Sequence, residues 1–312
     1  MLEKLFLTLL AAPAFALVIC GPDDPERWTI SNAEGIHISA GKRVAGSVDS
    51  VVFRGKEFIN ACDHGRELQM AITTTYSGCY NPTEAGSASD FETAVSSSQL
   101  LGINTSDNVL KTTINPAFWL RPGEFESDCG EAVNKVRVST YTMNKAISFN
   151  PYNVPRSFRY LANVQIPEHV SMVQNESPTA YQNAEFTKFY SVNPQTGALT
   201  FVQSPGEGKL AAAANPVILA TQDDQHAMGA ISKYGANYYG IFDFSKLGSY
   251  EASTTKWSIV RLWGALAAGS QIAIDSYICV GTTHEVADCL KTFGNIFKTP
   301  HNPAIEYVPQ GT

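Results

Sequence analysis

The chain has 312 residues, a formal net charge of −7 and only 16% charged residues. That balance excludes the basic face of a nucleic-acid binder and the charge density of a disordered tail. With 23 Gly and 16 Pro the chain is also close to average, which excludes collagen-like and low-complexity classes.

In chain order the first feature is a leader. Lys4 is followed by the apolar run Leu5 to Leu10, by Ala11 and Ala12, and then by Ala14-Phe15-Ala16. This is a charged start, an apolar centre and a small-residue cleavage pattern. Residues 1–16 are expected to be a signal peptide, and residues 17–312 a single β-sandwich domain that is secreted or periplasmic. Cys20 admits lipidation as an alternative, although Ile19 stands where a lipobox carries a small residue. No later stretch reaches about 18 uninterrupted apolar residues, so no membrane span is expected. The cysteines Cys20, Cys62, Cys79, Cys129, Cys279 and Cys289 all follow the leader, and an even number in an exported chain points to disulfides. No pair has C-x2-C spacing and no two histidines fall within a helical turn, so no metal is expected, nor any cofactor.

Short alternating runs separated by Gly, Asn and Pro then predict strands. They are Trp28/Ile30, Ile36/Ile38, Val48 to Phe53, Leu68/Met70/Ile72, Leu110/Thr112/Ile114 and Val136/Val138/Thr140. The series continues with Tyr160/Ala162/Val164, Val217 to Ala220, Tyr238 to Phe244, Trp257 to Leu262 and Ile272 to Val280. Asn81 to Thr113 carries eleven Ser or Thr residues and reads as a long surface loop ahead of a strand. Asn104-Thr105-Ser106 and Asn175-Glu176-Ser177 are N-glycosylation sequons. Ala180 to Phe189 is expected to form a short helix. A stronger helix signal follows the last strand, where Thr282 and Glu285 make a capping box and Val286, Cys289, Leu290 and Phe293 form one apolar face. Gly294 is expected to stop that helix. The dominance of strands without alternating helices predicts an all-β antiparallel fold.

The densest polar cluster lies between Asn60 and Asp90. If Leu68, Met70 and Ile72 face the core, Glu67, Gln69 and Ala71 face the other way. Arg66 offers a fork for a sugar carboxylate or hydroxyl pair, His64 can act as acid or base near neutral pH, and Glu84 adds a carboxylate. Tyr80 and Asn81 complete the cluster. Trp119, just before the turn Arg121-Pro122-Gly123, is the expected exposed platform for a sugar ring. His226 lies in Gln222-Asp223-Asp224-Gln225-His226, read as a turn between strands, and is a secondary catalytic candidate. The expected catalytic set is His64, Tyr80, Glu84 and His226; the expected substrate-binding set is Arg66, Gln69, Asn81 and Trp119. The competing reading of the cluster is structural, a turn knitted by Asp63 and Asn81 with Arg66 in an ion pair.

Gly41-Lys42-Arg43-Val44-Ala45-Gly46-Ser47-Val48, the strand Val51-Val52-Phe53, the hairpin Arg54-Gly55-Lys56-Glu57-Phe58-Ile59 and Asp63-His64-Gly65-Arg66 resemble the opening of galactose-mutarotase-like proteins. Asn81-Pro82 and Gly86 are similar to segments that follow it in that superfamily. The resemblance implies a β-supersandwich of two large antiparallel sheets with a carbohydrate ligand on its concave face; a jelly roll is the alternative fold. Mutarotases pair a His acid with a Glu base from the later half of the chain, where this sequence offers His226 and Glu251 without the matching motif. The expected function is thus a secreted carbohydrate-active protein acting on or binding a poly- or oligosaccharide, as a polysaccharide lyase or a sugar epimerase-like enzyme. The alternative is a noncatalytic carbohydrate-binding or surface interaction protein. In either case the partner is a carbohydrate and no nucleic acid.

Overall fold

The computed structural model describes residues 26–60, 62, 67–74, 78–92, 95–246, 249, 252–299 and 308–309. His64, Arg66 and Glu251, and the leader with Cys20, lie outside the described residues.

Two antiparallel sheets face each other. The first takes, in order, β1 (Arg27–Ser31), β2 (His37–Gly41), β3 (Val48–Phe53), β4 (Leu68–Thr74), β9 (Val173–Asn183), β16 (Thr254–Trp263), β15 (Tyr238–Phe244) and β12 (Leu210–Ala213), with the short strand Val308–Pro309 paired beyond β12. Shorter strands, Pro82–Thr83 and Ala117–Phe118 among them, extend it beside β4. The second sheet runs β11 (Leu199–Val202), β10 (Lys188–Val192), β13 (Val217–Ala220), β14 (Ala227–Ser232), β17 (Gln271–Gly281), β8 (Ser157–Gln165), β7 (Thr142–Phe149), β6 (Val109–Asn115) and β5 (Gln99–Ser106). The inward positions predicted by alternation meet between the sheets. Leu68, Met70, Ile72, Trp257 and Ile259 of the first pack with Ile114, Ile147, Tyr160, Ile274 and Ile278 of the second. This is the all-β antiparallel sandwich that the strand pattern predicts.

The helix α1 (Thr283–Phe297) begins where the capping box places it, with both reciprocal bonds formed. Its apolar face, Val286, Leu290 and Phe293, covers Ile218, Ile231 and Tyr277 on the outer side of the second sheet, and the Cys279–Cys289 disulfide ties it to β17. The helix does not stop at Gly294. It runs on to Phe297, and Lys298 ends it in the left-handed region (φ 54°). Gly294 is a point of contact instead, because a Cβ there would lie 1.9 Å from the Pro194 carbonyl oxygen.

Three further expectations are corrected. Ala180 to Phe189 is not helical; it ends β9, turns, and enters β10, and Ala180 and Phe189 are buried in the core. Val136 to Thr140 forms no strand, only an isolated bridge from Val138 to Ala117. Asn81 to Thr113 is not a loose surface loop. Asp90 is fully buried and organises it, its Oδ2 accepting the Ser87 and Ser97 amides and the Ser97 hydroxyl at 2.7 Å each and its Oδ1 accepting Arg137 at 2.5 Å. Gly86 (φ +112°) is required at this hub, since a Cβ would lie 2.2 Å from Asp90 Oδ2. β5 and most of β6 account for the rest of the segment. The sequon at Asn175 is also closed, because Asn175 is fully buried.

The close approach at Gly294 has a measurable consequence. Gly294→Ala forces the helix away from Pro194 and is expected to destabilise the fold by about 1–3 kcal/mol. Gly264→Ala, where a Cβ meets nothing within 4 Å, is expected to stay within about 0.5 kcal/mol of the parent. Urea denaturation of the two variants checks this, and equal midpoints would contradict it.

Candidate functional site

The outer face of the first sheet carries a pocket of about 170 Å³ lined by Gln69, Ala71, Thr73, Asn81, Thr83, Trp119, Glu176, Thr179, Tyr181 and Lys256. Gln69, Ala71 and Thr73 stand at the outward positions of β4, opposite the core residues Leu68, Met70 and Ile72, as strand alternation requires. β9 departs from that rule. Its register slips between Glu176 and Thr179, where Glu176 faces Ala71 and Thr179 faces Gln69. Three residues of β9 thus span two of β4, a bulge that brings Glu176 and Thr179, an odd number apart, onto the same face. Tyr181 follows two residues later on that face, opposite Lys256 of β16.

At the floor sits an ion pair. Lys256 Nζ donates to Glu176 Oε2 at 2.8 Å, Ser258 Oγ donates to the same oxygen at 3.1 Å, and Gln174 Nε2 donates to Oε1 at 3.1 Å. Burial would raise the Glu176 pKa, but the Lys256 charge and these donors outweigh it and hold the carboxyl below its ordinary range. Burial would likewise lower the Lys256 pKa, yet the Glu176 charge beside it holds the ammonium above its usual value. The ammonium also lies 5.0 Å from the Tyr181 ring centroid and 4.5 Å from that of Phe242, two cation–π contacts. Tyr238 is pushed up to about 12 by burial and by the Glu176 charge.

The rim is built by a separate staple. The Cys79–Cys129 disulfide, with Leu120 and Ala132, forms a small apolar cluster against which Trp119 packs. The Trp119 amide donates to the Asn81 carbonyl at 2.8 Å, fixing the two neighbours together. Asn81 Oδ1 is buried and accepts no hydrogen bond among the described residues.

The predicted site residues divide sharply. Gln69, Asn81 and Trp119 converge on this pocket. Tyr80 does not line it; its hydroxyl donates to Glu168 Oε1 at 2.5 Å, and burial and that carboxylate push its pKa up. Glu84, expected as a catalytic carboxylate, is sealed between the sheets in contact with Lys145, since the turn after Pro82–Thr83 sends its side chain inward. His226 lies in a different concavity with Lys56, Glu185, Thr187, Thr221, Gln222 and Asp223, because the β13–β14 turn carries it on the other sheet. Glu176, Tyr181 and Lys256 are not among the residues predicted from sequence. Their signal was polar residues at alternating positions in two long strands, hidden in β9 by the bulge. Among the described residues no group of three or more His, Cys, Asp or Glu is placed to hold a metal ion, and no helix is long and apolar enough to cross a membrane.

The floor pair predicts its own energetics. Lys256→Met leaves a largely buried carboxylate uncompensated and is expected to cost about 3–5 kcal/mol, with much of it restored in the Lys256→Met/Glu176→Gln double variant. Because the folded Glu176 pKa is depressed, the pair's contribution is complete above the ordinary Glu value of about 4.3 and is lost as pH falls through the lower folded value. Denaturation at neutral and acid pH checks both statements; additive single variants would contradict them.

No protein-family model and no curated protein matches the chain. Among solved structures it is similar to a candidate aldose 1-epimerase from Escherichia coli K12, at 11% identity over 82% of this chain and 99% of that one, with a TM-score of 0.48. It is also similar to a galactose mutarotase related enzyme from Lactobacillus acidophilus, at 12% identity over 82% and 98% and a TM-score of 0.42. A heparan sulfate lyase from Pedobacter heparinus matches at 7% identity over 83% of this chain and 36% of that one, with a TM-score of 0.40. Galactose-mutarotase-like proteins are thus among its solved neighbours, and at these values the likeness is weak and concerns strand arrangement alone.

Proposed function

We propose that the protein is exported and binds an oligosaccharide segment in the pocket on the outer face of the first sheet. The observation that carries the reading is that Asn81, whose buried Oδ1 has no partner among the described residues, and Trp119 line one pocket. A sugar presents hydroxyl donors at its edge and an apolar face of C–H groups, and these two features answer each other. Thr73, Thr179 and Gln69 line the same space with further polar groups. The one cation that lines the pocket among the described residues, Lys256, is already paired with Glu176. That pairing supports recognition through hydroxyls and ring faces rather than through a fixed charge on the sugar. Export is supported by the leader pattern and by the two disulfides that join described residues.

A catalytic reading has one observation in its favour. Tyr80 precedes Asn81 in the chain, keeps its proton to high pH, and is hydrogen-bonded to Glu168. Its hydroxyl lies outside the pocket lining and already donates to Glu168, so delivery of its proton to a leaving glycosidic oxygen, the acid step of a lyase, requires a substrate that reaches beyond the pocket.

Calorimetry against a panel of neutral and acidic oligosaccharides tests the binding. Asn81→Ala removes one hydrogen bond and is expected to weaken binding by about 0.5–1.5 kcal/mol. Trp119→Ala is expected to weaken it at least as much; Asn81→Ala is expected to keep the parent's stability to within about 0.5 kcal/mol, whereas Trp119→Ala also loses its packing on the disulfide cluster and is compared as folded protein at a temperature well below its unfolding. Unsaturated products absorbing in the near ultraviolet, lost in Tyr80→Phe, would establish the lyase. Unchanged affinity in both binding variants would refute the pocket.

A further inference from the structure

A second group of charged side chains lies in the interior and takes no part in the pocket. Glu84 follows the short strand Pro82–Thr83 of the first sheet, and Lys145 belongs to β7 of the second. The two side chains have no solvent exposure, and Lys145 Nζ is in direct contact with Glu84 Oε1. Nζ also donates to the Gly46 carbonyl at 2.6 Å. The second carboxyl oxygen, Oε2, accepts the Met70 amide at 2.9 Å and the Tyr160 hydroxyl at 3.2 Å. Asp49 and Glu67 are fully buried and close enough for their charges to act on Lys145.

A buried ion pair recovers its desolvation cost only with excellent partners, and this one has a neutral alternative with the same partners. We propose that Lys145 and Glu84 condense to an isopeptide bond that joins the two sheets. The Nζ lone pair attacks Glu84 Cδ, forming the C–N bond. Charge develops on Oε2, which already accepts the Met70 N–H and the Tyr160 O–H, an arrangement of the oxyanion-hole kind. The C–Oε1 bond then breaks. The ammonium gives up two protons, relayed through a neighbouring buried carboxylate, and Oε1 leaves with them as water. One ammonium and one carboxylate become one secondary amide and one water, with no redox change and no co-reactant.

Three features support the step. The partners are held in contact, so little entropy of approach remains to be lost. Burial lowers the Lys145 pKa in spite of the carboxylates around it, which brings the nucleophilic free amine within reach. The product is also fully satisfied, with the amide oxygen accepting from Met70 and Tyr160 and the amide N–H donating to Gly46.

The test is peptide mapping of the full chain after reduction and alkylation of its disulfides. The expected result is a branched species uniting the peptides that contain Glu84 and Lys145, lighter than their sum by one water, with no tryptic cleavage after Lys145. In Glu84→Gln the same branched product is expected, formed with loss of ammonia, whereas Glu84→Ala yields only separate peptides. Recovery of both peptides unlinked and at full mass from the folded parent chain would overturn the proposal, and that outcome is read on the parent alone, whether or not the variants fold.

Discussion

A charge taken out of water must be answered by the protein, and the Glu176–Lys256 pair shows how much structure that demands. The carboxylate needs Lys256, Ser258 and Gln174 as donors, and the ammonium needs the faces of Tyr181 and Phe242. These residues come from three adjacent strands, and the bulge in β9 is what turns Glu176 and Thr179 onto the same side. Without the register slip, either Glu176 or the Thr179–Tyr181 pair would point into the core against Met70 and Ile72. The pocket is therefore a consequence of how one sheet accommodates a charge on its outer face.

The interior contains the opposite solution. At Lys145 burial prevails and lowers the pKa, while at Lys256 the carboxylate prevails and raises it. The difference follows from position. Glu176 and Lys256 keep part of their side chains at the pocket surface, whereas Glu84 and Lys145 have none exposed. One pair is stable as ions at a partly exposed position, and the other gains by the proposed condensation, which removes both charges. The same chain thus uses Glu–Lys contact once to line an outer pocket and once, through the proposed bond, to join its two sheets. Of the two disulfides that join described residues, Cys79–Cys129 steadies Trp119 at the pocket, and Cys279–Cys289 holds the helix on the far side.

Much of the fold was legible in the sequence. Leu68/Met70/Ile72, Tyr160/Ala162/Val164 and Ile272 to Val280 are strands because their apolar residues alternate, and Thr282 with Glu285 marks the helix start. β9 was not legible, since its buried positions include Asn175, Ser177, Thr179 and Gln182, which alternate no hydrophobicity. β7 was missed for a related reason, with Lys145 at an inward position between Met143 and Ile147. Three of the ten pocket residues could be read as site candidates: Gln69 from strand alternation, Asn81 and Trp119 from their turns. Glu84 misled because a carboxylate beside Asn81 reads as surface chemistry, and only the tertiary contact with Lys145 shows it turned inward.

The proposal that a sugar binds at this pocket is tested most directly by hydrogen–deuterium exchange of the intact protein with and without an oligosaccharide from the panel. The expected result is added protection confined to Asn81–Thr83, Trp119 and the β9 segment from Glu176 to Tyr181, with the turn Thr221 to His226 unchanged. Protection centred on that turn, or on surfaces remote from Trp119, would contradict it.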